Sequence, residues 1–173
     1  MTKTPAAAPN ARPVLDLSRS SFEKTLDIFG AMGLLFMIAM IAFYWSSLPE
    51  RIPSHFGGSG RPEAWSGKSM LLVLPSISAV LYTGLTVLSR YPHIYNYAWP
   101  ITPQNAATQY RLARQMVIVL KTEIVWIFAY LDWQTIQTAL GHAQGLGQAF
   151  LPIFLLIIFG SLGFYLYKGF QAR

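Results

Sequence analysis

The stretch "SSLPERIPSHFGGSGRPEAWSGK", residues 46–68, separates two apolar runs, residues 28–45 and 70–89, and neither run carries a charged side chain. A helix needs about 20 mostly apolar residues to cross the hydrocarbon core of a bilayer. Unpaired backbone groups are costly in lipid, so such runs must be helical. The quoted stretch therefore reads as a loop joining two spanning helices. It holds three prolines, four glycines, a histidine and a tryptophan. Pro49 and Pro53 fix their own backbone angles and hold Leu48 and Ile52 extended. Gly57, Gly58 and Gly60 permit a sharp reversal. Ile52, Phe56 and Trp65 are apolar enough to fold the loop, taken as residues 46–69, back onto the helices or the lipid surface, which a solvated linker would not need.

Composition agrees with a bilayer as solvent. Of 173 residues, 53% are hydrophobic and 12% charged, against about 25% charged in soluble domains. There is no cysteine, so disulfides, thiolate metal sites and cysteine nucleophiles are excluded. The net charge of +6 comes from basic residues beside apolar runs, which points to anionic lipid rather than nucleic acid.

Two further runs complete the pattern. Residues 149–167 are uncharged, whereas residues 115–131 contain Lys121 and Glu123. The second of these helices is expected to begin before the membrane, over residues 103–131, with Thr102 as N-cap and Pro103 in the first turn. At 1.5 Å per residue it would be about 43 Å long, more than the bilayer core. Arg111 and Arg114 would then stand at the level of lipid phosphates. Pro75 is expected to kink the second helix. The fold expected is an all-α integral membrane protein with four spanning helices, about 28–45, 70–89, 103–131 and 149–167, and an ordered extracytoplasmic loop. The transmembrane domain is residues 28–168, with tails 1–27 and 169–173. The first tail reads as irregular, or as ending in a surface helix over residues 20–27 with Phe22 and Leu26 on one face.

Lysine and arginine counts orient the bundle. Nine (Lys3, Arg12, Arg19, Lys24, Arg90, Arg111, Arg114, Lys168, Arg173) fall on the side of the termini, and three (Arg51, Arg61, Lys68) on the other, with Lys121 inside a helix. The positive-inside rule puts both termini in the cytoplasm.

The loop resembles a known pattern. Leu48, Pro49, Ile52, Pro53, His55, Phe56, Gly60, Pro62, Trp65 and Lys68 match the signature of a small bacterial membrane domain of unknown function that occurs in SdpI-type immunity proteins. Gly57 stands where that signature usually has Asn, and Glu63 where it has Asp. The resemblance covers about residues 30–90 and implies a multi-pass protein of the bacterial inner membrane; it supplies no chemistry.

Candidate sites follow from residue type and depth. Pro49, Arg51, Pro53, His55, Phe56, Gly60, Pro62, Trp65 and Lys68 form the candidate surface for a partner or ligand. His55, with Glu50 and Glu63, offers at most three metal donors in one loop, so a histidine that braces the turn is the reading adopted and no metal site is assigned. Lys121 and Glu123 are ionisable groups at membrane depth. Two residues apart, they point to different faces. Lys121 is expected to reach back to the interface, and Glu123 to find Ser76, Ser78 or Tyr82 on the second helix, or a donor on another subunit. His93 and His142 lie in connecting segments and hold no haem or pigment on this reading. Zincin, phosphate-loop and serine-elbow motifs are absent. The chain is expected to be a non-enzyme without cofactor, partnered by lipid and other membrane subunits and not by nucleic acid. Two functions compete: an SdpI-related stand-alone protein that binds a partner through its outer loop, and an accessory subunit of a larger respiratory or photosynthetic complex. A small transporter is the weaker third, since no internal repeat is visible.

Overall fold

The computed structural model describes residues 12–173; Lys3, used in the orientation count, lies outside the described residues. Four helices carry the fold: α1 (Ser21–Tyr44), α2 (Val73–Leu88), α3 (Ala106–Ala139) and α4 (Phe150–Gln171). One 3₁₀ segment, Lys68–Leu72, leads into α2, and a second, Pro92–Ile94, follows it. Three helices are long and apolar enough to cross a membrane: Ser21–Tyr44, Lys68–Leu88 and Phe150–Gln171. α3 is the longest and is not among them, because polar and charged side chains interrupt its apolar positions.

α3 is nonetheless the centre of the bundle. α1, α2 and α4 each pack along it. α1 runs parallel to it: Glu23 meets Arg114 near one end, and Tyr44 meets Trp133 near the other. α4 runs antiparallel, with Gly169 beside Gln109 and Phe150 stacked on Tyr130. The α1–α3 approach needs glycine. A Cβ on Gly33 would sit 2.7 Å from the Val125 side chain, and one on Gly30 would sit 3.4 Å from the Thr122 hydroxyl of α3 and 2.9 Å from the Tyr82 ring of α2. Small residues let backbones come this close where lipid gives no hydrophobic push between helices.

The loop is not irregular, and the fold is not all-α. Arg51–Phe56 (β1) and Pro62–Gly67 (β2) form an antiparallel hairpin pairing Arg51 with Gly67 and Phe56 with Pro62, with register irregularities around His55. Prolines are tolerated because a two-stranded ribbon has only edges. The turn closes through Gly60 N–H donating to the Gly57 carbonyl at 2.8 Å, with Gly60 at φ +77°. The hydrophobic core gathers beneath it: Met40, Ile41, Leu48, Ile52, Leu71 and Ile136 are all buried together.

Several boundaries differ from expectation. α3 starts at Ala106, not Pro103, because Thr102 and Asn105 bond each other's backbone N–H through their side chains and hold the chain in a turn first. It also continues past residue 131 to Ala139, since the hairpin and the end of α1 give its last turns a surface to bury against. Pro75 falls in the first turn of α2, where its missing N–H has no helical partner to lose. Residues 20–27 are not a separate surface helix. Ser20 caps α1 itself, accepting from Glu23 N–H at 3.2 Å while the Glu23 carboxylate accepts from Ser20 N–H at 2.7 Å. The described part of the tail, from Arg12, is tied down by its carbonyls: Pro13 accepts from Tyr110, and Leu17 and Ser18 from Arg114.

Candidate site: a polar seam on α3 and a cavity under the hairpin

The buried positions of α3 fall at alternating spacings of three and four: Ile118, Thr122, Val125, Ala129, Asp132 and Ile136. That is one helix face carried through five turns. Polar groups sit on it and beside it, and their partners decide what each can do.

The first pair is Arg114 with Glu23. The guanidinium grips the carboxylate through Nε at 2.7 Å and Nη2 at 3.2 Å, and donates two further hydrogens to the Leu17 and Ser18 carbonyls at 2.8 and 3.0 Å. Both side chains are buried. Arg114 therefore does not reach lipid phosphate; Arg111, three residues back, is exposed. The planar fork suits a bidentate partner, and a second set of acceptors meets two further donors.

The second group surrounds Lys121. Its ammonium donates to Asp27 at 2.5 Å and to the Thr86 hydroxyl at 2.8 Å, and stands 4.3 Å from the centre of the Tyr82 ring. Arg19 also bonds Asp27 and donates to Ser89 at 2.8 Å. Lys121 thus does not reach back to the interface. It is buried, and its charge is met by an acid 94 residues earlier in the chain. Glu123 points to a different face, as the two-residue spacing requires. It accepts from Ser161 on α4, not from Ser76, Ser78 or Tyr82 on α2.

Asp132 is the third acid, and sequence reasoning passed over it because the helix was ended at residue 131. It is 2% exposed, and its Oδ2 has no hydrogen-bond partner among the described residues. It lines a cavity of about 390 Å³ beneath β1, walled by Pro53, Phe56, Leu71, Thr135 and Phe150. The signal that could have found it is the three-four spacing itself, which places residue 132 on the buried face.

The hairpin presents two faces. Ile52 and Pro53 are buried against the bundle, while Arg51, His55 and Trp65 face outward. Arg51 donates to the Trp65 carbonyl at 2.8 Å, bracing the two strands. Lys68 pairs with Glu50 at 3.1 Å and lies over the Trp45 ring. Gly60 anchors the tip: its carbonyl accepts from Leu146 N–H at 2.7 Å. His55 Nε2 is 3.8 Å from Glu63, both well exposed, and Glu50 is engaged elsewhere, so these three do not converge. Among the described residues no group of three or more His, Asp or Glu side chains is placed to hold a metal. Gly57 and Glu63, the two departures from the resembled signature, are neighbours. A Cβ on Gly57 would lie 1.8 Å from a Glu63 carboxylate oxygen, so the longer acid fills the space a side chain would need. Pro49 precedes the hairpin and Pro62 opens β2. His93 and His142 lie at opposite ends of the bundle, in the turn after α2 and just beyond α3.

Comparison with known proteins places this hairpin in a wider set. Residues 32–79, the second half of α1 through the hairpin into α2, match a family described as Domain of unknown function (DUF1648). An uncharacterised protein of Archaeoglobus fulgidus is 32% identical over 74 residues, which is 38% of this chain. The alignment spans 39% of that relative's length. No solved structure matches.

Proposed function

We propose that the chain is a non-enzymatic protein of four membrane spans, with the hairpin on one side and both termini in the cytoplasm, that binds a partner through the hairpin. α3 is the fourth span on this reading. Its polar groups do not oppose a crossing, because they face the three apolar helices and are mostly paired there. The observation that carries the binding role is the division of the hairpin: Ile52 and Pro53 seat it on the bundle, leaving Arg51, His55 and Trp65 on a braced outward surface. A rigid aromatic and arginine anchor on a positioned strand is what interfaces favour. The signature residues support kinship with SdpI-type immunity proteins of the bacterial inner membrane.

A second reading, an accessory subunit of a larger respiratory or photosynthetic assembly, is favoured by one feature. An apolar groove of about 850 Å³ runs between α1 and α4 in front of α3, with Phe29, Trp126 and Phe154 among its walls. It is the size of a second helix's side chains or a lipid tail.

The test uses the absence of native cysteine. A Ser59→Cys variant reacts with an impermeant maleimide from outside intact cells, and an Arg173→Cys variant does not; the reverse pattern removes the topology. A photocrosslinking residue at position 65, followed by native sizing, then reports the partner. A crosslink lost on Arg51→Ala supports the hairpin reading. Migration with a redox or pigment assembly, without a hairpin crosslink, supports the second reading.

A further inference from the structure

The buried acids of this chain differ in one respect. Glu23 has Arg114, and Asp27 has Lys121 and Arg19. Glu123, half-buried, has no cation but accepts from Ser161. Among the described residues Asp132 has no cation and its Oδ2 no donor, and no lysine or arginine lines the cavity it faces, His55 being the one titratable neighbour in the wall. A buried carboxylate without a donor is costly, and the protein elsewhere supplies one. Here the space for it is present but the side chain is not. The walls are mostly apolar, with two phenyl rings, Phe56 and Phe150, two further hydroxyls, Ser54 and Thr135, and the His55 imidazole at the exposed side. Carboxylate, aromatic rings and apolar walls together are the recognition chemistry of an organic cation. At about 390 Å³ the cavity falls in the range of small-molecule sites.

We propose that the cavity beneath β1 binds a primary ammonium ion carrying an apolar body, with the ammonium on Asp132 and the body between Leu71 and Phe150. A divalent metal does not fit, because Asp132 is the one carboxylate and His55 the one imidazole in the wall, and among the described residues no third such ligand joins them. The inference concerns the inner face of the hairpin and goes beyond the partner-binding reading of its outer face. Either can fail alone. The ammonium can come from the headgroup of an ethanolamine lipid or from a free amphiphilic amine, and the test separates these sources.

The full chain is placed in nanodiscs of phosphatidylglycerol, which lacks an amine, and titrated with hexylammonium chloride, with hexanol as the uncharged control. Hexylammonium binding raises the melting temperature and hexanol does not. Asp132→Asn weakens hexylammonium binding about tenfold or more, the loss expected for one charge-assisted hydrogen bond. Leu74→Phe, which narrows the cavity without touching the carboxylate, weakens it as well. Adding ethanolamine lipid to the disc reduces the response to hexylammonium if the headgroup is the occupant and leaves it unchanged if a free amine is. Equal responses to hexylammonium and hexanol, or an undiminished response in Asp132→Asn, overturn the proposal and leave a water-filled cavity. An Asp132→Asn variant that fails to fold also overturns it, because the carboxylate would then have a structural partner.

Discussion

α3 and α4 are neighbours of opposite construction. α4 is apolar from Phe150 to Tyr167 apart from the Ser161 hydroxyl, and none of its most apolar window is buried within the chain. α3 carries Gln109, Arg114, Lys121, Thr122, Asp132 and Thr135, and all of them are buried. The greasiest helix is on the outside and the most polar one is at the centre. In water this would be an inverted protein. In a bilayer it is the expected order, because lipid tails are as apolar as leucine and give no reward for hiding α4. Polar groups, by contrast, gain from being surrounded by partners. Low hydropathy in a helix held between three apolar ones is then a sign of centrality.

The strongest way to break this contrast is to remove one half of the buried pair at the foot of α3. Arg114→Ala leaves Glu23 charged, buried and unmatched, and strips donors from the Leu17 and Ser18 carbonyls. The expected loss is about 3–5 kcal/mol in unfolding from mixed micelles. Glu23→Met with Arg114→Met, removing both charges, is expected to recover most of it; no recovery would mean that the carbonyl contacts and not the ion pair set the cost. Matched truncations sharpen the contrast. Ile118→Ala on α3, at a position 0% exposed, is expected to cost about 2–5 kcal/mol. Leu156→Ala on α4, at a position 73% exposed, is expected to change stability by less than about 0.5 kcal/mol. Equal costs would show that α4 is buried by something outside this chain. Gly33→Ala tests the α1–α3 seam. Its new methyl must displace Val125 and Trp126, at an expected cost of about 1–3 kcal/mol by the same measurement.

The smallest effect lies at the membrane-free end of the seam, in the connection between α2 and α3. Burial pushes the Tyr95 phenol up to about 12 from its ordinary 10.0, against the pull of Arg114 and Arg19. The folded state therefore disfavours the phenolate. The stability linked to this group is intact below pH 10 and is lost as pH rises through about 12. Phenolate absorbance is expected to contain a late-titrating component that diminishes in Tyr95→Phe.

Much of the architecture was legible in the residues. The uncharged runs announced α1, α2 and α4, because a helix in lipid has little sequence freedom. Lys121 and Glu123 were correctly set on different faces by their spacing. Their partners were not legible. Asp27 and Glu23 looked like tail residues preceding a span, and only the fold brings them beside basic groups 94 and 91 residues later. The hairpin was half legible. Glycine and proline foretold a compact reversal with extended residues before Pro49 and Pro53, but the pairing of two strands was not read from them. Asp132 was missed because hydropathy ended α3 too early, although the buried spacing continued through Asp132 to Ile136.

The bond from Leu146 N–H to the Gly60 carbonyl ties the hairpin tip to the segment between α3 and α4. Gly145 and Gly60 permit that approach, since a Cβ on Gly145 would fall 2.0 Å from the Gly60 oxygen and one on Gly60 would fall 2.6 Å from the Gly147 oxygen. During synthesis the ribosome finishes both strands some 80 residues before it reaches their clasp. The early half of the chain must wait, with its ornament made but unfastened, for the late half to arrive. A nascent chain halted before residue 146 would carry the hairpin seated through Ile52 on Ile136 and its neighbours, with only its tip unfastened.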